Sequence, residues 1–142
     1  TSDHGWKIEQ LDSIFKSEVS KFKKNINHVS IFIDDDFINF DKLNEIGINS
    51  VEIYTGPFAE VIKDGKKHEI HSAQNKISKI VESAKLNNLK VNAGHDLNLD
   101  NLPYLKECGN IDEVSIGHAI IVDSLKYGFK DTINMYIETI KK

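Results

Sequence analysis

Short apolar runs of strand character alternate with amphipathic helical stretches along the whole chain. That alternation restricts the fold more than any single residue does. The strand candidates are 29–34 (VSIFID), 51–55 (VEIYT), 89–93 (LKVNA) and 114–116 (VSI). Between them, Ile8, Leu11, Phe15, Val19 and Phe22 recur at helical spacing, as do Ala73, Ile77, Ile80, Val81 and Ala84. A shorter helix over 37–46 is closed by Gly47, and Pro103 confines 101–108 to a short helix. A last helix, carrying Ile133, Tyr136, Ile137 and Ile140, is expected after Asp131 as its cap. Strand and helix in turn point to parallel βα units. The segment 56–70 (GPFAEVIKDGKKHEI) is too polar and glycine-punctuated for one helix. Its place after a strand's carboxyl end predicts a functional loop.

Four such units in 142 residues cannot close a (β/α)8 barrel, which needs about 250 residues. A lone half-barrel would leave two edges and an inner face open. The residues therefore allow two α/β architectures, half of a TIM barrel or a small doubly wound sheet. No linker divides the chain into domains. With 39% hydrophobic residues and a formal charge of −4, the composition is that of a globular domain and gives no electrostatic case for binding nucleic acid or anionic membrane. Cys108 is the only cysteine, no spacing suggests a metal site, and no run has membrane-spanning length or signal-peptide character. A reducing, cytoplasmic setting is expected. The chain starts at Thr1, in a polar stretch that reads either as a processed start or as the interior of a longer chain.

Two glycine-histidine pairs carry the chemistry most visibly: Gly94-His95 in VNAGH and Gly117-His118 in VSIGH. Each follows a strand candidate, and side chains at the carboxyl ends of parallel strands converge on one crevice. Glycine permits close approach of a ligand, and histidine titrates nearest neutral pH. His95 is a candidate general acid or base. Gly117 and His118 open a helix-like segment whose first N–H groups suit an anion. Glu52 alternates with Val51 and Ile53, so it faces the barrel interior if those two pack outward. A structural ion pair is the competing role for Glu52, and backbone hydrogen bonding the competing role for His95. The run Asp34-Asp35-Asp36 raises a rival, a receiver-like module binding magnesium or a phosphoryl group. Lys90 begins its strand rather than ending it, which weighs against that module, and helix capping by these acids is the simpler reading.

Taken together, VSIFIDDD, VEIYTGPFAE, LKVNAGHDLNLDNL and EVSIGHAIIVDSL resemble the pyridoxine 5'-phosphate synthase family across essentially the whole chain. The resemblance implies a TIM barrel of which this chain supplies roughly strands five to eight. It implies condensation of 3-amino-2-oxopropyl phosphate with 1-deoxy-D-xylulose 5-phosphate, with no metal or organic cofactor, in a homo-octamer. His95 then matches a proton-donating histidine and Glu52 a buried glutamate that stabilises the transition state. Thr1 matches a loop threonine contacting deoxyxylulose phosphate, while Gly117 and His118 match the pair holding aminooxopropyl phosphate. Asp96 falls at a substrate-contact position often filled by glycine, and His4 also stands where glycine is expected. The family's proton-accepting bases would lie upstream of Thr1, so this half is expected to be inactive alone. Another phosphate-handling isomerase or aldolase barrel would share the anion site but not the pairing of Glu52 with His95.

Overall fold

The computed structural model describes residues 3–141. Four strands, β1 (Ser30–Ile33), β2 (Ser50–Tyr54), β3 (Lys90–Gly94) and β4 (Glu113–Ser115), form one parallel sheet in the order β1-β2-β3-β4. A doubly wound sheet reverses strand order at a switch point, and this one does not. Sequential parallel strands with helical crossovers are an α/β arrangement compatible with part of a TIM barrel. That removes the architecture on which the receiver-like module rested.

The register puts Ile33, Ile53, Ala93 and Val114 in one row and Ile31, Val51 and Val91 in another, on the same face. Ile33, Val51, Ile53, Val91 and Ala93 are wholly buried there under the helices. Each buried Ile or Val side chain on that face is worth about 1.5–3 kcal/mol of transfer free energy. Ile77, Ile80, Val81 and Ala84 of the helix α4 (Lys67–Leu86) and Leu43 and Ile46 of the helix α2 (Phe40–Ile46) complete this core. The opposite face carries Phe32, Glu52 and Asn92 in one row and Tyr54, Gly94 and Ser115 in the next. In this chain that face is open.

Helix boundaries show where local chemistry overrode periodicity. A 3₁₀ turn at Ile8–Gln10 precedes α1 (Ser13–Phe22), because the Asp12 carboxylate accepts from the Phe15 N–H at 2.9 Å and restarts the chain as a new helix. Phe22, expected on the buried face, is exposed. α2 (Phe40–Ile46) ends at Gly47, whose φ of 92° is readily reached only without a Cβ. The segment expected to be a loop after β2 is helical. It forms α3 (Gly56–Asp64) and the start of α4 (Lys67–Leu86), separated by Gly65 at φ 73°. Pro57 in the first turn of α3 is compatible with the helix, and the polar residues lie on exposed surface. α5 (Leu102–Lys106) has Pro103 in its first turn as expected. α6 (His118–Tyr127) follows β4 after a two-residue turn. α7 (Phe129–Lys141) begins before Asp131, which is a first-turn acid interacting with the helix dipole, not the cap. Among the described residues no helix is long and apolar enough to cross a membrane.

Candidate active site

A cleft of about 1450 Å³ lies at the carboxyl ends of the strands, and its walls include Glu52, Tyr54, His95, Asp96, Gly117 and His118. Strand alternation places Glu52 there. Its neighbours Val51 and Ile53 are fully buried on the other face, whereas Glu52 is half-buried on the open one. Among the described residues no cation lies within ion-pair distance of Glu52, so the structural ion-pair role finds no support within them. Gly94, opposite Tyr54 on β3, makes room for this carboxylate. A Cβ on Gly94 would run into Glu52 Oε1 and come within 3.2 Å of Ser115 Cβ.

His95 leaves the strand with φ 85°, and Asp96 follows with φ 56°. Two consecutive non-glycine residues in the left-handed region cost of order 1–3 kcal/mol each and need surrounding structure to hold them. Part of that structure is aromatic. The imidazole packs against Phe32 (centroids 5.1 Å apart) and edge-on against Tyr54 (5.2 Å, 84°). The rest is polar. Thr55, fully buried, has its hydroxyl 2.6 Å from the carbonyl oxygens of both Gly94 and His95. Buried Asn101 donates from Nδ2 to the Asp96 carbonyl at 2.9 Å and accepts from the Asn98 N–H at 2.9 Å. The backbone at Asp96 explains why glycine suits this position, and aspartate is among the residues that tolerate it best.

Gly117-His118 is built differently. An added Cβ on Gly117 would meet nothing within 4 Å, so tight packing inside this chain does not require glycine there. Gly117 precedes α6 without a side-chain cap, leaving the first N–H groups of that helix free to bind an anion, and the cleft wall continues to Ala119. His118 is exposed at the start of the helix.

The aspartate run has a structural role. Asp34 accepts from the Gly5 N–H and from Lys7 Nζ, both at 2.6 Å, and Asp35 pairs with Lys76 at 3.1 Å. Burial works against the Asp34 carboxylate, but these hydrogen bonds and the Lys7 charge outweigh it and hold its pKa below the ordinary value. These acids do not cap α2, which starts later, at Phe40. Among the described residues no three His, Cys, Asp or Glu side chains converge as metal ligands. Cys108 is buried, and that burial pushes its thiol up to about 11. Thr1 lies outside the described residues.

Glu52, His95, Asp96, Gly117 and His118 thus line one cleft. Phe32, Thr55, Asn101 and Ser115 were not singled out from sequence. Phe32 and Ser115 were recoverable by extending strand alternation to β1 and β4. Nothing local signals Thr55, since its hydrogen bond to His95 joins residues 40 apart, while the Asn101 side chain bonds only within its own loop.

The sequence model of the family described as "Pyridoxal phosphate biosynthesis protein PdxJ" matches residues 1–142. Pyridoxine 5'-phosphate synthase of Brucella anthropi is 36% identical over 143 residues, covering 99% of this chain and 57% of the relative. The synthases of Brucella suis and Brucella abortus are each 37% identical over 145 residues, covering 99% of the chain and 56% of the relative. The chain therefore spans little more than half the length of the curated relatives it matches. A parallel βα array with Glu52, His95 and Gly117-His118 around one cleft, joined to a match over the full chain, makes this protein a member of the PdxJ family of pyridoxal phosphate biosynthesis proteins.

Proposed function

We propose that this chain supplies strands five to eight of a TIM barrel that condenses 3-amino-2-oxopropyl phosphate with 1-deoxy-D-xylulose 5-phosphate into pyridoxine 5'-phosphate. The observation that carries the reading is the convergence of Glu52, His95 and Gly117-His118 on one cleft at the strands' carboxyl ends. Two further features agree with a barrel completed by other strands. At the β1 edge, the Trp6 N–H donates to the Phe32 carbonyl at 2.8 Å, so residues preceding α1 run beside β1 as an earlier strand's end would. At the β4 end, Ile121, Leu125 and Phe129 are at least 60% exposed, an apolar surface suited to a packing partner.

In this reading His95 donates protons to oxygen leaving groups during the dehydrations, and Glu52 stabilises cationic character at the reacting carbons. The Gly117 and His118 N–H groups hold the phosphate of the amino ketone. Thr1 and Asp96 contact deoxyxylulose phosphate, Asp96 through its backbone. The proton-accepting bases come from strands one to four. No metal or organic cofactor takes part, and the assembled enzyme is a cytoplasmic homo-octamer.

Joining this chain to the amino-terminal half of a family member and supplying both ketone phosphates tests the reading. Pyridoxine 5'-phosphate should form, with release of inorganic phosphate, only when both halves and both substrates are present. Turnover of a single sugar phosphate by the joined protein, without ring formation, would instead assign an isomerase or aldolase.

A further inference from the structure

We infer that Thr55 is a positioning residue for His95, an inference that rests on the proton-donating role proposed above. Thr55 sits at the end of β2 and is fully buried, and it is not part of the cleft wall. It cannot touch a substrate bound in the cleft, so any effect on catalysis passes through another residue.

The hydrogen bonds of Thr55 lead to His95. The Thr55 N–H donates to the Gly94 carbonyl at 2.9 Å, continuing the parallel ladder one residue past β2. That carbonyl therefore already has a donor. The hydroxyl lies 2.6 Å from both the Gly94 and the His95 carbonyls and has one proton to give. Among the described residues no other donor reaches the His95 carbonyl. The chain turns out of the strand at His95 with φ 85°, which takes this carbonyl off the ladder. Thr55 thus gives the part-buried His95 carbonyl its donor, and so stabilises the turn that sets the imidazole against Phe32 and Tyr54.

Valine in place of Thr55 keeps the shape but leaves the His95 carbonyl without a partner. Serine keeps the hydroxyl. In the assembled barrel, Thr55→Val should lower kcat by about 10- to 100-fold while KM for each ketone phosphate stays within about twofold. Thr55→Ser should restore kcat to within about threefold. In ¹H–¹⁵N spectra the His95 imidazole should lose its ring-current shift in the valine variant and regain it in the serine variant. If Thr55→Val does not fold, Thr55→Cys, a weaker donor of similar size, takes its place in both measurements.

Loss of kcat in the serine variant as well, or an unchanged His95 resonance in the valine variant, would overturn the positioning role. The two readings fail separately. An inactive wild-type barrel would refute the proposed reaction, while the imidazole shift would still report whether Thr55 orients His95.

Discussion

The two glycine-histidine pairs look interchangeable in sequence and are opposites in structure. Gly94 is enclosed, with the Glu52 carboxylate filling the space a Cβ would need, whereas Gly117 faces nothing within 4 Å. His95 is held in a left-handed turn by a buried threonine and two aromatic rings. His118 stands exposed at the start of a helix. The first pair has the fixed orientation that proton transfer requires, since a general acid must reach its acceptor within hydrogen-bond distance. The second has what anion binding requires: accessible backbone N–H groups and empty space in front of them. The same dipeptide is suited to two different purposes because its surroundings, not its residues, set what it can do.

Three experiments in the assembled barrel would break or sharpen this contrast, and the largest effect falls on His95. Asparagine keeps polarity and approximate reach but cannot exchange a proton near neutral pH. His95→Asn should lower kcat by about 10²- to 10⁴-fold, roughly 3–5 kcal/mol of barrier, with little change in KM. Steady-state kinetics with each ketone phosphate varied in turn decide this. Near-normal turnover at saturation would make His95 a binding residue, and the contrast would collapse.

Substituting the two glycines should give smaller and unequal effects. Gly94→Ala forces the new methyl against Glu52 and should cost about 1–3 kcal/mol of stability as well as turnover. Gly117→Val meets no protein atom at Cβ, so its melting temperature should be nearly unchanged. Its KM for aminooxopropyl phosphate should nevertheless rise about tenfold, whereas its KM for deoxyxylulose phosphate should rise less. Thermal melts alongside kinetics separate the two. Equal destabilisation by both substitutions would show that Gly117, like Gly94, is a packing glycine.

Sequence revealed the fold and the site to different depths. Strand positions were legible to within a residue or two, because the apolar rows Ile31, Ile33, Val51, Ile53 and Val91 write the buried face directly. The same alternation placed Glu52 on the open face. Helix limits were less legible. Asp12 cut a continuous pattern through capping, and polar exposed residues disguised α3 and the start of α4 as a loop, although the break at Gly65 agrees with the expectation that the segment is not one helix. The support of His95 was not legible at all. Thr55 acts through a carbonyl 40 residues away that only the folded register brings within reach, whereas Asn101, at the start of α5, acts through a carbonyl of its own loop that its sequence position does not single out. The aspartate run suggested chemistry and proved to be a clasp between the Gly5–Lys7 segment, the end of β1 and α4.

The division of labour between the pairs is tested most directly by titrating inorganic phosphate into the ¹⁵N-labelled assembled barrel. The amide resonances of Gly117 and His118 should shift and saturate together, while the Gly94 amide and the His95 imidazole stay in place. A saturable shift at Gly94 and His95 with none at Gly117 and His118 would contradict the assignment of the anion site to the second pair.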